Sequence, residues 1–328
     1  MQQTSTPIAL ISFTISRTRS NWELSRTSRQ AAPRQTRLTP FSFGEETTYR
    51  KEIETWRQER DTRLKADDGW LTIAGLYWLN DGENTVGSGP TNDIILPAGS
   101  APAHVGVFTV QQGKITFEAA TAVAVTQHGK SIRTATLEPG PGTGATPDDA
   151  LTVGELTLWL HKSGDRPAIR LRDKTSQLRK TFTGCRWFPI DSTYRVTARF
   201  LPHAEPKAVT MANVLGDRER YTSPGVVEFT LHGQKLRLEP VSSGPDRLFF
   251  VFRDGTSGNE TYGATRFLTT DGPQNNQVML DFNKAVNPPC AYNPFTTCPL
   301  PPKDNRLTTR IEAGELDYHN NNSGHSSR

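Results

Sequence analysis

The sequence is poor in cysteine. Only three cysteines stand among 328 residues, a small and odd number that gives no disulfide framework and favours a reducing compartment. We therefore expect a soluble, cytoplasmic protein, in which a bridge between Cys290 and Cys298 stays an open alternative. The sequence also lacks an apolar run of about 18 residues, so we expect no transmembrane helix and no membrane partner.

Positive charge is scarce outside the N-terminal tail. The net charge is +4, but residues 1–44 hold six arginines, no lysine and one acid, Glu23. This tail has a surplus of five positive charges, which leaves the remainder near −1. A nucleic-acid partner is not expected, because such binding needs a basic face on the folded domain. The tail is predicted to be disordered, and its Ser, Thr and Arg content also suits a targeting segment.

One helix is predicted, over residues 45–68, with its regular part between Glu45 and Ala66. Apolar residues recur there near the helical period and make a single stripe. The members of the stripe are Tyr49, Ile53, Trp56 and Leu64. We expect this helix to lie across a sheet, with the pairs Arg57–Asp61 and Glu59–Arg63 on its solvent side.

After Gly69 the chain changes to short β-rich runs separated by Gly, Pro, Asn or Gln. The predicted strands span 72–79, 93–96, 105–110, 114–118, 123–126, 131–135, 151–162, 168–172, 194–200, 226–231, 235–239, 248–252 and 277–282. We therefore predict an all-β protein with two lobes, residues 69–140 and residues 150–315. The second lobe is predicted to be a sandwich or a partly closed barrel, followed by a disordered tail at 316–328.

Two local patterns stand out in the second half of the chain. Residues 248–252 are apolar on both faces, which predicts a central strand. Residues 172–176, Arg-Asp-Lys-Thr-Ser, recur as Arg-Asp-Gly-Thr-Ser at 253–257. A duplicated strand–loop–strand unit and a chance likeness between two strand-end turns both account for this repeat.

The segment from Met279 to Arg306 is rich in proline. It holds six of the 23 prolines and two of the three cysteines. Regular helix and strand are not expected there, because each ring removes a donor and fixes φ. A long rigid polar loop usually serves a site. We expect residues 287–302 to wrap the second lobe and to bring Cys290 and Asn305-Arg306 toward the loop at 254–266.

Four motifs resemble those of the bacterial family called domain of unknown function 1684. They are residues 68–79, 184–189, 254–262 and 281–306. The resemblance runs from about Trp56 to Glu315, and its last block is the most specific. It implies no activity, substrate or cofactor, because the family has none assigned.

Residues 84–132 are similar, more weakly, to the forkhead-associated sandwich, which reads phosphothreonine from its loops. The motifs are residues 84–88, 92–97, 103–105 and 127–129. The usual arginine after the first glycine is replaced by Ser88, and the asparagine of the later Asn-Gly by His128. A phosphate site needs charge-assisted donors, so this lobe is expected to keep the scaffold without the phosphate grip.

The loop from Asp254 to Tyr262 is the first candidate site. It has two glycines, several hydroxyl side chains and Glu260, and its backbone can form a nest for an anion. Arg253 and Arg266 flank it and suit a carboxylate or phosphate. The alternative is a tight Asp-Gly turn whose side chains cap its own backbone.

The second candidate site follows the strand at 277–280. Asp281 and Asn283 share one strand face, and a carboxylate near Lys284 suits acid–base chemistry. An ion pair that only fixes the proline-rich segment is the alternative.

Cys290 is either a nucleophile or a buried structural thiol. A nucleophile needs a base such as histidine, and the candidates His104, His161 and His203 are distant in sequence. The spacing of Cys290 and Cys298 does not suit zinc, so we expect no metal and no cofactor.

These observations favour a protein that binds a small anionic ligand in the second lobe. The predicted ligand-binding residues are Arg253, Asp254, Thr256, Ser257, Tyr262, Arg266, Asn283, Lys284, Asn287, Cys290, Asn305 and Arg306. A hydrolase with Glu260 or Asp281 as general base is the second hypothesis. The third is a protein-interaction scaffold that binds a protein partner through the first lobe.

Overall fold

The computed structural model describes residues 43–140, 146–244 and 246–318. The predicted tails lie outside these residues, apart from 43–44 and 316–318, as do residues 141–145 between the two predicted lobes. The described chain is mostly β, which confirms the predicted fold class. It also has an N-terminal helix, α1 (Phe43–Lys65), and a short helix, α2 (Gln177–Thr181).

Eighteen strands are assigned in the described residues. They are β1 (Ile73–Trp78), β2 (Gly82–Gly87), β3 (Ile94–Ile95), β4 (Gly106–Gln111), β5 (Lys114–Ala119), β6 (Val125–Gln127), β7 (Lys130–Ile132), β8 (Thr134–Leu137), β9 (Leu151–Val153), β10 (Leu156–Ser163), β11 (Arg166–Asp173), β12 (Arg195–Ala212), β13 (Arg218–Leu231), β14 (Gln234–Leu238), β15 (Val241–Ser242), β16 (Arg247–Phe252), β17 (Arg266–Asp271) and β18 (Gln277–Asp281). Within the same residues, no helix has the length and apolar character needed to cross a membrane.

The first lobe is a sandwich of two sheets. A six-stranded sheet has the order β1-β11-β10-β9-β6-β7, and a five-stranded sheet has the order β3-β2-β4-β5-β8. Leu158, Leu160 and Leu171 of the first sheet share a core with Phe108 and Phe117 of the second. Strands β9, β10 and β11, predicted to belong to the second lobe, pair with β1 and β6 here. Strand β10 is buried on both faces, so its composition does not reveal which lobe it joins.

The second lobe has a four-stranded sheet, β14-β13-β12-β18, and a three-stranded sheet, β15-β16-β17. Phe229, Phe250, Phe252 and Phe282 lie in their shared core. Strand β16 is the middle strand of its sheet, which confirms the predicted central strand. Strand β12 is much longer than predicted, because the β12–β13 hairpin continues beyond an irregularity after Pro202.

Helix α1 confirms the predicted helix but packs differently from the expectation. Tyr49 and Ile53 contact Ile190, in the loop before β12, so the helix lies on loops rather than across a sheet. Arg57 donates to the carbonyl of Phe188 at 3.1 Å and does not pair with Asp61. An exposed i,i+4 ion pair is worth only a few tenths of a kcal/mol, so the carbonyl contact wins. The pair Glu59–Arg63 does form, at 3.6 Å.

Replacement of Ile53 by alanine should loosen this helix. Ile53 is fully buried, so we expect Ile53→Ala to lower the free energy of unfolding by about 2–5 kcal/mol. Urea denaturation followed by tryptophan fluorescence measures the change. Glu59→Ala, on the exposed side of the same helix, is the matched control and should stay within about 0.5 kcal/mol. Equal stability of the two variants would contradict this packing.

Candidate functional site

The segment at 287–302, called here the proline loop, lies between the two lobes. On the side of the first lobe, the Asn293 amide donates to the carbonyl of Trp70 at 3.2 Å. Thr297 Oγ1 lies 3.2 Å from Nε2 of His161 on β10. The loop therefore contacts the first sandwich directly, in addition to the second lobe that it was expected to wrap.

On the other side, the proline loop is bonded to the second lobe. The carbonyl of Cys298 accepts from the amide of Val214 at 3.0 Å. The Tyr262 hydroxyl donates to the carbonyl of Cys290 at 3.3 Å. Immediately after the loop, the amide of Arg253 donates to the carbonyl of Asn305 at 3.0 Å. The predicted return of this segment to the 254–266 loop is confirmed.

Arg266, predicted to hold a ligand, lies in the core of the second lobe. Its exposed fraction is 0%, and Nη1 lies 2.5 Å from Oδ2 of Asp254. The same guanidinium donates to the carbonyls of Ile311, at 3.0 Å, and Ala313. Arg266 thus forms a buried ion pair with partners supplied by the protein itself.

The loop that follows Asp254 is a turn capped by its own side chains. Asp254 Oδ1 accepts from the amide of Thr256 at 2.7 Å and from its hydroxyl at 2.5 Å, and Ser257 Oγ accepts from the amide of Asp254 at 3.2 Å. Asp173 accepts from the amide and hydroxyl of Thr175, both at 2.7 Å, in the repeated motif. The repeat is one Asx-type turn used twice.

Loss of Asp254 should destabilise the second lobe. Removal of one partner leaves an uncompensated buried charge, so we expect Asp254→Ala to cost about 3–5 kcal/mol. The double variant D254A/R266M removes both charges and should recover much of the loss, as measured by urea denaturation. If the double variant is as unstable as the single one, the pair does not have this role.

The other predicted cations are more exposed than Arg266. Arg306 is exposed, and its Nε donates to the carbonyl of Pro301 at 3.3 Å. The side chain of Arg253 is half-buried, and that of Lys284 is half-buried near the end of β18. Arg253 and Arg306 are backbone neighbours through an isolated β-bridge. Asn305 fixes strand ends, because its amide donates to the carbonyls of Glu239 and Val251, both at 2.9 Å.

Asp281 and Asn283 do lie together, as predicted, but beneath helix α1. Asp281 Oδ1 accepts from the Tyr49 hydroxyl at 2.9 Å and from the amide of Asn283 at 3.1 Å. The Asn283 side-chain amide lies 2.9 Å from the same hydroxyl and donates to the carbonyl of Asp191 at 2.8 Å. The arrangement fastens the helix to the second lobe.

Glu260 is also occupied. Its carboxylate accepts from Arg310 at 2.6 Å, and this hydrogen bond lowers the pKa of Glu260 below its usual value. A general base that works near neutral pH needs the opposite shift. The geometry therefore gives little support to Glu260 as the catalytic group.

A buried polar cluster joins the helix to the C-terminal end, and it was not predicted. Arg60 donates to Glu315 at 3.0 Å and to the carbonyl of Asn287 at 2.9 Å. Glu315, with an exposed fraction of 1%, also accepts from the Tyr292 hydroxyl and from the amide of Asn287. Cys185 lies 3.5 Å from that hydroxyl, and burial raises its pKa well above the usual range. This cluster is a paired charge network, and Cys185 stays a thiol.

A histidine, a serine and a glutamate also meet on the second lobe. His203 Nε2 lies 3.1 Å from Glu239 Oε1 and 3.5 Å from Ser223 Oγ. A catalytic triad uses the two ring nitrogens for different partners, whereas both contacts here involve Nε2. Ser223 is fully buried and donates to the carbonyl of Gly225. This trio does not have triad geometry.

Strands β10 and β11 direct His161 and Arg170 toward the proline loop. Arg170 Nη2 lies 3.1 Å from His161 Nε2, and because arginine can only donate, the imidazole nitrogen accepts. Burial, and secondly the charge of Arg170, lower the pKa of His161 to about 3. His161 is therefore neutral at pH 7 and helps to orient Arg170.

Arg170 itself has no acidic partner. Its exposed fraction is 1%, and it contributes to none of the ion pairs among the described residues. Its Nε has no hydrogen-bond acceptor, and Nη2 contacts only His161 and Thr297. Burial lowers the pKa of Arg170 to about 10, so the group is a buried cation with neutral partners.

The two cysteines of the proline loop contact each other. Cys298 Sγ accepts from the amide of Cys290 at 3.3 Å and lies 3.7 Å from Thr296 Oγ1. Burial alone would raise the pKa of Cys298, but hydrogen bonds from Cys290 and Thr296, with the charge of Arg170, lower it. The pKa of Cys290 is raised, first by its hydrogen bond with Cys298 and then by burial. The thiol disposed to ionise is therefore Cys298, and not Cys290, for which a nucleophile and a buried structural thiol were the two alternatives.

No three metal-ligating side chains within the described ranges are arranged to hold a metal ion. The region called here the lobe seam consists of His161, Arg170, Cys290, Thr297 and Cys298. Arg170 is not among the residues predicted from the sequence, and His161 is predicted only as a possible base for Cys290, because nothing local in the sequence shows that both contact Thr297. The available signal was an arginine inside the otherwise apolar strand at 168–171.

The neutral state of His161 should make the protein sensitive to acid. Its pKa of about 3 in the folded state lies below the usual 6.5, so the unfolded chain binds the extra proton between these values. Stability should fall as pH decreases through this window, by about 1.4 kcal/mol per pH unit at most. His161→Gln should flatten the dependence in urea denaturation, and His104→Gln, at an exposed position, is the control. An unchanged slope in His161→Gln would contradict the assignment.

Comparison with known proteins shows that part of the chain matches a protein family. Residues 180–316 match the family model described as "Protein of unknown function (DUF1684)". A solution NMR structure of an uncharacterized protein from Haloarcula marismortui is 32% identical, covers 42% of this chain and 78% of that chain, and has a TM-score of 0.35. No curated protein matches the sequence. The matched residues include the whole proline loop and Glu315, but not β10 or β11.

Proposed function

We propose that this chain, whose residues 180–316 belong to the DUF1684 family, binds a small anion at the lobe seam. The observation that carries the proposal is Arg170, a buried guanidinium without an acidic partner and with a free Nε. Two ion-paired arginines supply a contrast, because fully buried Arg266 has Asp254, and Arg60, whose side chain is 15% exposed, has Glu315.

The buried charge of Arg170 lacks an acidic partner, and such a charge is energetically costly. An isolated cation in a medium of low dielectric is unfavourable by several kcal/mol unless it is paired and hydrogen-bonded. A carboxylate or phosphate oxygen can accept from a guanidinium with strong, charge-assisted geometry. Thr297, half-buried on the proline loop, adds a hydroxyl beside Arg170. An oxoanion at this position would satisfy the free Nε.

The ligand should be small, because Arg170, His161 and Cys298 of the lobe seam are all buried. A surface cleft of about 390 Å³ lies elsewhere, at the ends of β16 and β17, lined by residues such as Asp246, Arg247 and Asp271. None of the predicted site residues lines it. We therefore assign the seam to a simple oxoanion, such as phosphate or a short carboxylate.

The hydrolase hypothesis ranks below binding. Asp281 is occupied by the Tyr49 hydroxyl and Asn283, and Glu260 by Arg310. The hydrogen bond from Arg310 lowers the pKa of Glu260 and makes its carboxylate a weaker base. The anion-binding proposal needs neither group. Its cation is Arg170 on β11 of the first lobe, whereas the cations predicted from the sequence lie in the second lobe.

An interaction role for the first sandwich is the alternative. Its likeness to the forkhead-associated module is supported by the loop around Asn92, which donates to the carbonyls of Gly89 and Ala103 and contacts His104 at 3.1 Å. The Ser88 hydroxyl donates to the carbonyl of Ala101 at 2.6 Å. Such a loop suits a protein partner better than a phosphate, because Ser88 brings no charge.

Thermal unfolding with phosphate, acetate or citrate tests the binding proposal. A ligand at a hundredfold excess over its Kd should stabilise the wild-type chain by about 2.7 kcal/mol. Arg170→Met, of similar length and without charge, should fold and lose this response. Arg199→Gln, at an exposed position of β12, is the matched control and should keep it.

Two outcomes would contradict the proposal. An equal response in Arg170→Met and wild type would place the anion elsewhere. No response of the wild type to any anion would favour the interaction role.

A further experiment varies the pH. The Cys298 thiolate competes with the anion for Arg170, so the stabilisation by the anion should weaken as pH rises toward 9. Cys298→Ser should remove this pH dependence.

A further inference from the structure

We propose that Cys298 and Cys290 form an oxidisable dithiol, in which a hydroperoxide oxidises Cys298 and Cys290 resolves the product as a disulfide. This modification site goes beyond anion binding and does not depend on it. Both cysteines are free in the structure, and they lie on the same short segment of the proline loop.

Cys290 and Cys298 lie close together. The amide of Cys290 donates to Cys298 Sγ at 3.3 Å, although eight positions separate the two residues. The sulfur of Cys298 therefore lies against the backbone that carries the Cys290 side chain, which brings the two cysteines within the short range that a disulfide requires.

The two thiols have different roles. Cys298 Sγ accepts from the amide of Cys290 and contacts the Thr296 hydroxyl, and although burial raises its pKa, these contacts and the charge of Arg170 lower it. A thiolate with a cation nearby is the nucleophile in thiol oxidation, and a neighbouring protonated thiol is the usual resolving group. Cys185 is near the charge of Arg60 as well, but its side-chain contact is the Tyr292 hydroxyl and not a second thiol. The assignment of Cys298 as the attacking sulfur follows from these contacts.

Access to the two thiols is limited. Cys298 has an exposed fraction of 5%, while Cys290 is half-buried. Hydrogen peroxide is little larger than water and suits so narrow an approach. A bulky disulfide such as oxidised glutathione does not, because the attacking sulfur must line up with the disulfide bond. We therefore assign hydroperoxides as the oxidant class.

The chemistry balances in two steps. The Cys298 thiolate attacks one oxygen of hydrogen peroxide, the O–O bond breaks, and a sulfenic acid and hydroxide form. The Cys290 sulfur then attacks the Cys298 sulfur, the S–O bond breaks, and the leaving hydroxide takes the Cys290 proton as water. The pair loses two electrons in total, and an external dithiol that is itself oxidised restores it.

Peptide mass mapping under non-reducing conditions tests the proposal on the reduced full-length chain. Treatment with hydrogen peroxide should yield a Cys290–Cys298 disulfide, while Cys185 remains a thiol. Oxidised glutathione at the same concentration should yield much less of this product. Absence of the disulfide, or preferential oxidation of Cys185, would overturn the proposal.

Serine variants separate the two roles. Cys290→Ser should stop at a Cys298 sulfenic acid, which dimedone traps, and Cys298→Ser should lose peroxide sensitivity in the loop. Cys185→Ser is the matched control and should form the disulfide like the wild type. A Cys290 sulfenic acid in Cys298→Ser, formed as fast as the wild-type disulfide, would reverse the assignment. Loss of anion binding in Arg170→Met leaves the wild-type mapping result unaffected, so the two proposals fail separately.

Discussion

The proline loop is the constraint on which the rest of this structure depends. Its six prolines, at 288, 289, 294, 299, 301 and 302, each fix φ and remove a backbone donor, which restricts the shape of a segment that is not part of a sheet. It bonds Trp70 and His161 on one side and Val214 on the other. The two sandwich-like lobes therefore meet across the proline loop. His161 of β10 and Arg170 of β11 face that loop.

Charge compensation distinguishes structural arginines from the candidate site. Arg266 is fully buried and Arg60 is half-buried, and each has a carboxylate within 3.0 Å or less and fastens one element to another. Arg170 has an exposed fraction of 1%, and its Nη2 contacts a neutral imidazole and a hydroxyl. Removal of an ion from water costs several kcal/mol, so the difference in partners is large enough to decide where an exogenous anion would bind. When it ionises, the thiol of Cys298 is the group within the protein that takes the place of such an anion.

The sequence reveals features that depend on local pattern. Helix α1 and the central strand β16 follow from periodicity and from a continuous apolar run, and both are confirmed. Strand β10 was assigned to the wrong lobe because burial on both faces hides its partner. Arg266 was chosen as a ligand residue and Arg170 was overlooked for one reason: only tertiary structure shows that Asp254 reaches one guanidinium and that no acid reaches the other.

The most direct test of the central claim is a crystal structure grown with selenate, an oxoanion that anomalous scattering locates without ambiguity. We expect a selenium peak in the lobe seam, with one selenate oxygen about 2.9 Å from Arg170 Nε and another near Thr297 Oγ1. A seam without a peak, in crystals where selenate binds other arginines or none, would contradict the account.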